Sequence, residues 1–224
     1  MRAAQEALRR ETGAKMTSDP ASGAARSMRF APGRGPAAPA GATAARASDA
    51  FVARHGAAFG LGDATRELAA GETSVDGLGM THRRYRQQVD GVEVFGATLD
   101  VHMGRGNEVR SANGRIVPGI AVDVRPRFDA VRAQRLAVAA VLAEPPGSDE
   151  EGAGVAVGPA LEAAGAKLWV YDDGMVRSRR GEAHLAWLVE VRGPGLREFV
   201  FVDAHSGKVV ERWSGIHDGL YRRL

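Results

Sequence analysis

The stretch "HRRYRQQVDGVEVFGATLDVHM", residues 82–103, sets a basic and polar run directly against a β-patterned run, with Asp-Gly at the junction. Successive side chains of a strand take opposite faces, so Tyr85, Gln87 and Val89 share one face. His82, Arg84, Arg86 and Gln88 share the other. Asp90-Gly91 supplies the positive-φ pair of a two-residue hairpin turn, which predicts Val89 opposite Val92 and Gln87 opposite Val94. The later apolar set, Phe95, Ala97, Leu99, Val101 and Met103, has the other parity, and a one-residue slip turns a strand over. Gly96 is the predicted β-bulge that resets the register. The basic run then lies on one face of a curved antiparallel sheet. Such a face is either solvated or docks on a partner, with Arg84, Arg86 and Gln88 as the residues it offers.

Downstream, "GRGNE" and "SANGR" read as the next two turns, with Val109 on a short strand between them. Upstream, Ser48 or Asp49 serves as an N-cap, and Phe51, His55, Ala58 and Phe59 fall on one helical face ending at Gly60. His55 reads as a core-edge histidine. Residues 1–46 divide into a short polar, helix-favouring start and a Gly/Ala/Pro/Ser segment, of which "FAPGRGPAAPAGATAARA" carries no apolar period, and the whole is expected to form a flexible N-terminal segment. Asp129 caps a second predicted helix to about Ala143, closed by Pro145-Pro146. "GSDEEGAG" reads as a loop and "VGPALEAAG" as a short excursion. The strands "KLWVYDD", "HLAWLVEVRG", "REFVFVDAHSG" and "KVVERWSGI" follow. Trp187 sits in the stripe Leu185, Trp187, Val189, Val191; Phe199, Phe201 and Asp203 alternate likewise, and "HSG" (205–207) makes the turn before the last strand. The expected fold is α+β, two helix-on-antiparallel-sheet units joined in sequence.

Composition narrows the chemistry. The chain of 224 residues contains no Cys, so disulfides, thiolate catalysis and Cys-based metal sites are excluded. Eight of its 30 Lys/Arg but only three of its 27 Asp/Glu lie in residues 1–46, so the remainder is slightly acidic. A folded nucleic-acid binder concentrates basic excess on its domain, so no nucleic-acid partner is expected. No apolar run near Met1 makes a leader core or a membrane span, so no membrane partner is expected. The His residues at 55, 82, 102, 184, 205 and 217 offer no His-Glu-x-x-His pair, and no Gly-x-Ser-x-Gly elbow occurs. Asp203 and His205 stand close enough to share a metal, but a turn-stabilising Asp is the plainer reading. The chain is expected to be no enzyme, with no catalytic residue, metal ligand or cofactor of its own.

"RYRQQVDGVEVFGATLDVHM…GNEVRSANGRIVPGI" (Arg84 to Ile120) resembles the fungalysin/thermolysin propeptide motif, with its Arg-Tyr-x-Gln strand and Gly-Val-x-Val-x-Gly hairpin. Glu93 stands where that family has Pro. "MTSDPASGAARSMRFAPG" resembles the start of these propeptides, and "AFVARHGAAFGL" their Phe-rich helix. "LAWLVEVRGPGLREFVFVDAHSGKVVERWSGI" is similar to a PepSY unit. The resemblance spans about residues 16–217 and implies two cystatin-like units in tandem. Their expected bounds are 47–125 (propeptide motif) and 126–217 (PepSY-like), with a tail at 218–224 leading toward a possible peptidase domain. It further implies a secreted or periplasmic intramolecular chaperone and inhibitor that covers the cleft of a thermolysin-like zinc metallopeptidase. That partner, in cis or in trans, would carry the zinc. A free-standing inhibitor or a PepSY-type binding module is the alternative. Tyr85, Gln87, Asp90, Gly91, Gly96, Trp187, Asp203 and Gly207 are expected to be structural residues, and the chain is expected either to be cytosolic or to have had a leader that lies upstream or has been removed.

Overall fold

The computed structural model describes residues 1–145, 161–177, 179 and 181–215. The chain is α+β and divides into two compact units. Met1–Val122 and Asp172–Ala183 form the first; Asp123–Tyr171 and the chain from His184 onward form the second.

The first unit begins with α1 (Arg2–Thr12), β1 (Lys15–Ser18) and β2 (Ala25–Arg29). Next come α2 (Ala44–His55), a 3-10 turn at Gly56–Phe59 and α3 (Ala64–Glu67). The strands β3 (Leu68–Val75), β4 (Thr81–Val89), β5 (Val92–Met103) and β6 (Val109–Arg115) follow. All pairings are antiparallel, in the order β1-β2-β6-β5-β4-β3. One face of this sheet buries Met28, Tyr85, Leu99, Val101, Met103 and Ala112 in a core shared with Leu8, Phe51, Val52 and Phe59.

Residues 1–46 correct the expectation of a flexible segment. They supply a helix and two strands, and Leu8, Ala25, Met28 and Phe30 are buried. Their apolar positions are few, but α1 puts Gln5, Leu8 and Thr12 on one buried face. Gln5 Nε2 then donates to the carbonyls of Gly23 and Ala58, 2.9 Å each. The helix α2 starts earlier than expected, with Thr43 as its N-cap, Oγ1 accepting from Arg46 N. Ser48 and Asp49 are inside the helix, where their oxygens serve the sheet instead. Gly60, at φ 93°, does close the 3-10 turn.

"SANGR" is strand β6 and not a turn. A Cβ at Gly114 would collide with the backbone oxygen of Thr98 on β5, so this glycine permits close strand approach. The hairpin register is also corrected in part. Val89 does pair with Val92 through Asp90 (φ 45°) and Gly91 (φ 87°). Gln88, however, pairs with Glu93, and the ladder resumes only at Arg86↔Thr98. Gln87 thus faces the four-residue bulge Val94–Ala97, which contains Gly96 at φ 73°.

The second unit holds α4 (Ala130–Ala143) and strands β7 (Glu162–Asp172), β8 (Ala183–Gly193), β9 (Leu196–Asp203) and β10 (Val209–Ser214), adjacent in that order. Asp129 caps α4 by accepting from Arg132 N at 2.9 Å. The helix lays Ala133, Ala137 and Val141 on Val189, Val191, Val200 and Val202. Trp187 pairs across strands with Val202 on this side, whereas Phe201 stacks on Tyr171 on the opposite side. Both faces of β9 are therefore covered. The expected excursion "VGPALEAAG" is corrected at Glu162–Gly165, which belong to β7. Residues 157–160, the loop "GSDEEGAG", Pro146 and the tail 218–224 lie outside the described residues.

Candidate functional site: the outer face of the first sheet

The face of β4 and β5 turned away from the core is polar, because alternation that buries Tyr85 and Gln87 sends Arg84 and Arg86 outward. It forms a depression of about 670 Å³ lined by Ala70, Gly71, Glu72, Ser74, His82, Arg84, Arg86 and Asp100. Its arginines are matched to carboxylates on the neighbouring strand. Arg84 meets Asp100 through Nε at 2.7 Å and Nη2 at 3.2 Å, and Arg86 Nε meets Glu93 at 2.9 Å. The carboxylate of Asp100 holds the Arg84 guanidinium even more firmly charged than usual, through its hydrogen bond and its charge. Gln88 Nε2 donates to the carbonyl of Arg66 at 2.9 Å. Arg84 and Arg86 thus line the depression together, and Gln88 is not among its lining residues.

A row of four side chains crosses the same face. His82 Nε2 lies 3.0 Å from Asp76 Oδ2, His82 Nδ1 lies 2.6 Å from His102 Nδ1, and His102 Nε2 lies 2.7 Å from Asn113 Oδ1. Asp76 is held below the usual carboxylate range by hydrogen bonds from Met80 N–H, His82 and Leu78 N–H. Sequence reasoning missed Asp76, Asp100, His102 and Asn113. A bulge-free hairpin would have placed His82 opposite Leu99, and only the size of the bulge brings His102 to it.

The residues beneath this face are locked. The Tyr85 hydroxyl lies 2.7 Å from Ser48 Oγ and from Asp49 Oδ1, and accepts from Arg83 Nε at 3.1 Å. Burial pushes its pKa up. Gln87 is 1% exposed and acts as a backbone mimic: Nε2 donates to Val117 O at 2.7 Å, and Oε1 accepts from Val117 N at 2.8 Å. A Cβ at Gly96 would find Met175 Cε at 3.8 Å, so backbone conformation rather than space demands glycine there.

These four strands are where the comparison with protein families lands: residues 67–116 match the Fungalysin/Thermolysin Propeptide Motif. The chain carries a fungalysin/thermolysin propeptide motif. The match runs from the start of β3 to the end of β6 and so includes the whole polar depression. Thermolysins of Alicyclobacillus acidocaldarius subsp. acidocaldarius and of Bacillus caldolyticus are each 29% identical over 158 residues. That alignment covers 70% of this chain and 27% of each relative, so the chain spans well under a third of the curated proteins it matches. Among solved structures, the Bacillus megaterium YpeB C-terminal domain aligns with 95% of this chain and 96% of its own, at 10% identity and a TM-score of 0.36. At that score the likeness bears on neither fold nor function.

In the second unit Trp187 Nε1 donates to Phe128 O at 3.2 Å. Asp203 organises the turn: Oδ1 accepts from His205 N at 3.0 Å, Ser206 N at 2.7 Å and Ser206 Oγ at 2.8 Å, and Oδ2 lies 3.1 Å from His184 Nδ1. Burial acts to raise its pKa, and these hydrogen bonds override it, leaving it below the usual value. Gly207, at φ 78°, completes the turn. His205 turns its Nε2 to the carbonyl of Arg125 at 3.1 Å. Among the described residues no group of three or more His, Asp or Glu is placed to hold a metal, and no helix is long and apolar enough to cross a membrane.

Proposed function

We propose that the chain is a propeptide-type folding assistant and inhibitor that covers the active-site cleft of a thermolysin-like zinc metallopeptidase. The observation that carries the reading is the coincidence of the propeptide motif with a solvent-facing, polar sheet face around Arg84 and Arg86. Zinc would belong to the partner. The second unit is read as PepSY-like, the pair of units as cystatin-like in tandem, and the protein as one that works outside the cytoplasm, as its secreted partner would.

The energetics suit an inhibitor in cis. Tethering gives an effective concentration of roughly millimolar, so even a micromolar intrinsic affinity keeps a cleft about 99.9% covered until the linker is cut. A specific contact of this kind buries on the order of 1,600 Å² in total. The arginines are already paired, which limits non-specific attraction and fixes the guanidinium planes for a partner that meets them edge-on.

The test is the inhibition constant of the chain against a thermolysin-like peptidase, with the refolding yield of the denatured peptidase alongside. Arg84→Glu with Arg86→Glu should weaken inhibition by about tenfold or more, as expected when charges are buried at a contact. Each arginine faces a carboxylate, so the Arg84→Gln and Arg86→Gln pair is measured too, as the gentler change. Unchanged inhibition by variants that melt like the wild type would leave the face merely solvated.

A further inference from the structure

The His82–His102 contact holds one proton and has no room for a second. A carboxylate only accepts, so His82 Nε2 donates to Asp76. With Asn113 Oδ1 facing His102 Nε2, that nitrogen donates as well, and the two Nδ1 atoms at 2.6 Å must share a proton beyond the neutral count. With the Asn113 amide turned over, the pair is neutral and His102 Nδ1–H donates to His82. In both arrangements a single N–H occupies the gap. Charging both rings would aim two N–H groups at each other, so the pair must part.

From this geometry we propose that the His82–His102 pair is an acid-operated latch on the docking face; the proposal rests on the reading of that face as the surface covering a peptidase. His82 lines the depression that also holds Arg84 and Asp100, and His102 contacts His82 from β5. The charged groups around it are Glu72 from β3, Asp76 from the β3–β4 turn, Arg84 and Arg86 from β4 and Asp100 from β5. The side chains that β6 brings to His102 and Asp100, Ser111 and Asn113, are neutral. Taking up the last proton adds a positive charge beside two arginines and swings an imidazole out of the row. A partner fitted to the closed pair then meets an altered and more basic surface. Histidine is the side chain that makes such a change between neutral and mildly acidic pH.

Two measurements on the full chain test this. Imidazole nitrogen NMR from about pH 7.5 to about pH 5, the range in which histidine changes charge, should show the two rings taking up protons as a coupled pair with a shared N–H. The inhibition constant against the peptidase should rise with acid by about tenfold more for the wild type than for His82→Gln with His102→Gln, a difference worth one decade of affinity. Rings that titrate independently overturn the latch whatever the inhibition does. Coupled rings with the same acid response in both proteins overturn its control of docking. A chain that fails to inhibit at any pH overturns the docking reading and the regulation with it, and the NMR result tells that failure from the first. Melting curves that match between wild type and variant at pH 7.5 confirm that the comparison is between folded proteins.

Discussion

In the first unit the space between sheet and helices is crossed by hydrogen bonds, whereas in the second it is filled by aliphatic carbon. Tyr85 reaches Ser48 and Asp49 on α2, Arg83 reaches Asp49 at 3.2 Å, and Gln5 on α1 reaches two carbonyls outside its helix. Under α4, by contrast, Ala133, Ala137, Val141, Val189, Val191, Val200 and Val202 are all fully buried and carry no polar side-chain atom. Polar groups gather at the margin of that seam, where Arg212 Nε meets Glu198 at 2.9 Å and Arg212 Nη1 meets Glu144 O at 2.7 Å. Dispersion and burial are indifferent to direction, and hydrogen bonds are not. The first unit therefore fixes its helices by specific pins, and the second by volume.

The sharpest way to test that contrast is to remove a hydrogen-bonded side chain of the first unit, here the one that ties β4 to the segment after β6. Gln87→Leu keeps an apolar side chain of similar length in place but strands both Val117 N–H and Val117 O. Leaving a backbone group unsatisfied costs about 1–3 kcal/mol, and both groups of the half-buried Val117 are affected, so the loss should be about 2–5 kcal/mol in a denaturant titration. A change within about 0.5 kcal/mol, the ordinary range for surface substitutions, would mean that water or relaxation satisfies Val117 and that the pin is ornamental.

The same contrast explains what could be read from the sequence. The seam of the second unit was legible because its evidence is periodic: Leu185, Trp187, Val189 and Val191 alternate, and Asp129 sits where a cap belongs. The β4–β5 hairpin was legible because Asp90-Gly91 and the parity break around Gly96 are local signals. Pins are not periodic. Ser48 and Asp49 look like an N-cap until Tyr85, 37 and 36 positions away, claims their oxygens. Gln5 and Leu8 look like part of a polar leader until a core exists for them to enter. The size of the bulge was likewise invisible, so the pairing of His82 with His102 was too. "SANGR" misled for a related reason: Asn-Gly signals a turn locally, but the close approach of β5 makes Gly114 a strand residue.

A smaller effect should separate the seam from the pins by size alone. Ala137→Leu adds volume where α4 lies flat on valines, with no polar group to lose. Overpacking a well-filled core costs about 1–3 kcal/mol, and the alanines and valines that line this seam have no side-chain hydrogen bond to lose. Thermal melting followed by tryptophan fluorescence should show the second unit weakened, with the amide exchange of β4 and β5 unchanged. Equal losses of protection in both units would mean that the contrast is not one of independent cores.

The smallest expected effect is a difference in how acid acts on the two units. His55 is 9% exposed, and burial, reinforced by the positive charge of Arg54, depresses its pKa below the ordinary imidazole value. The folded state then refuses a proton that the unfolded chain accepts, so stability rises with pH in this range. The contribution is complete above about 6.5 and is lost as pH falls from there through the lower folded value. In the second unit the depressed groups are carboxylates, Glu190 and the largely buried Asp203, whose ordinary value is about 3.9. The contribution of Asp203 is complete above that value and lost only as pH falls through the still lower folded pKa. Amide exchange measured from neutral to acid pH should therefore show α2 and β4 losing protection first, while β8 and β9 hold until the carboxylate range. His55→Gln should remove the early loss without touching the late one, and His82→Gln should leave the α2 part of it in place. If both units weaken together near neutral pH in the His55→Gln chain, the early titration belongs to another group and the polar core of the first unit is not its source.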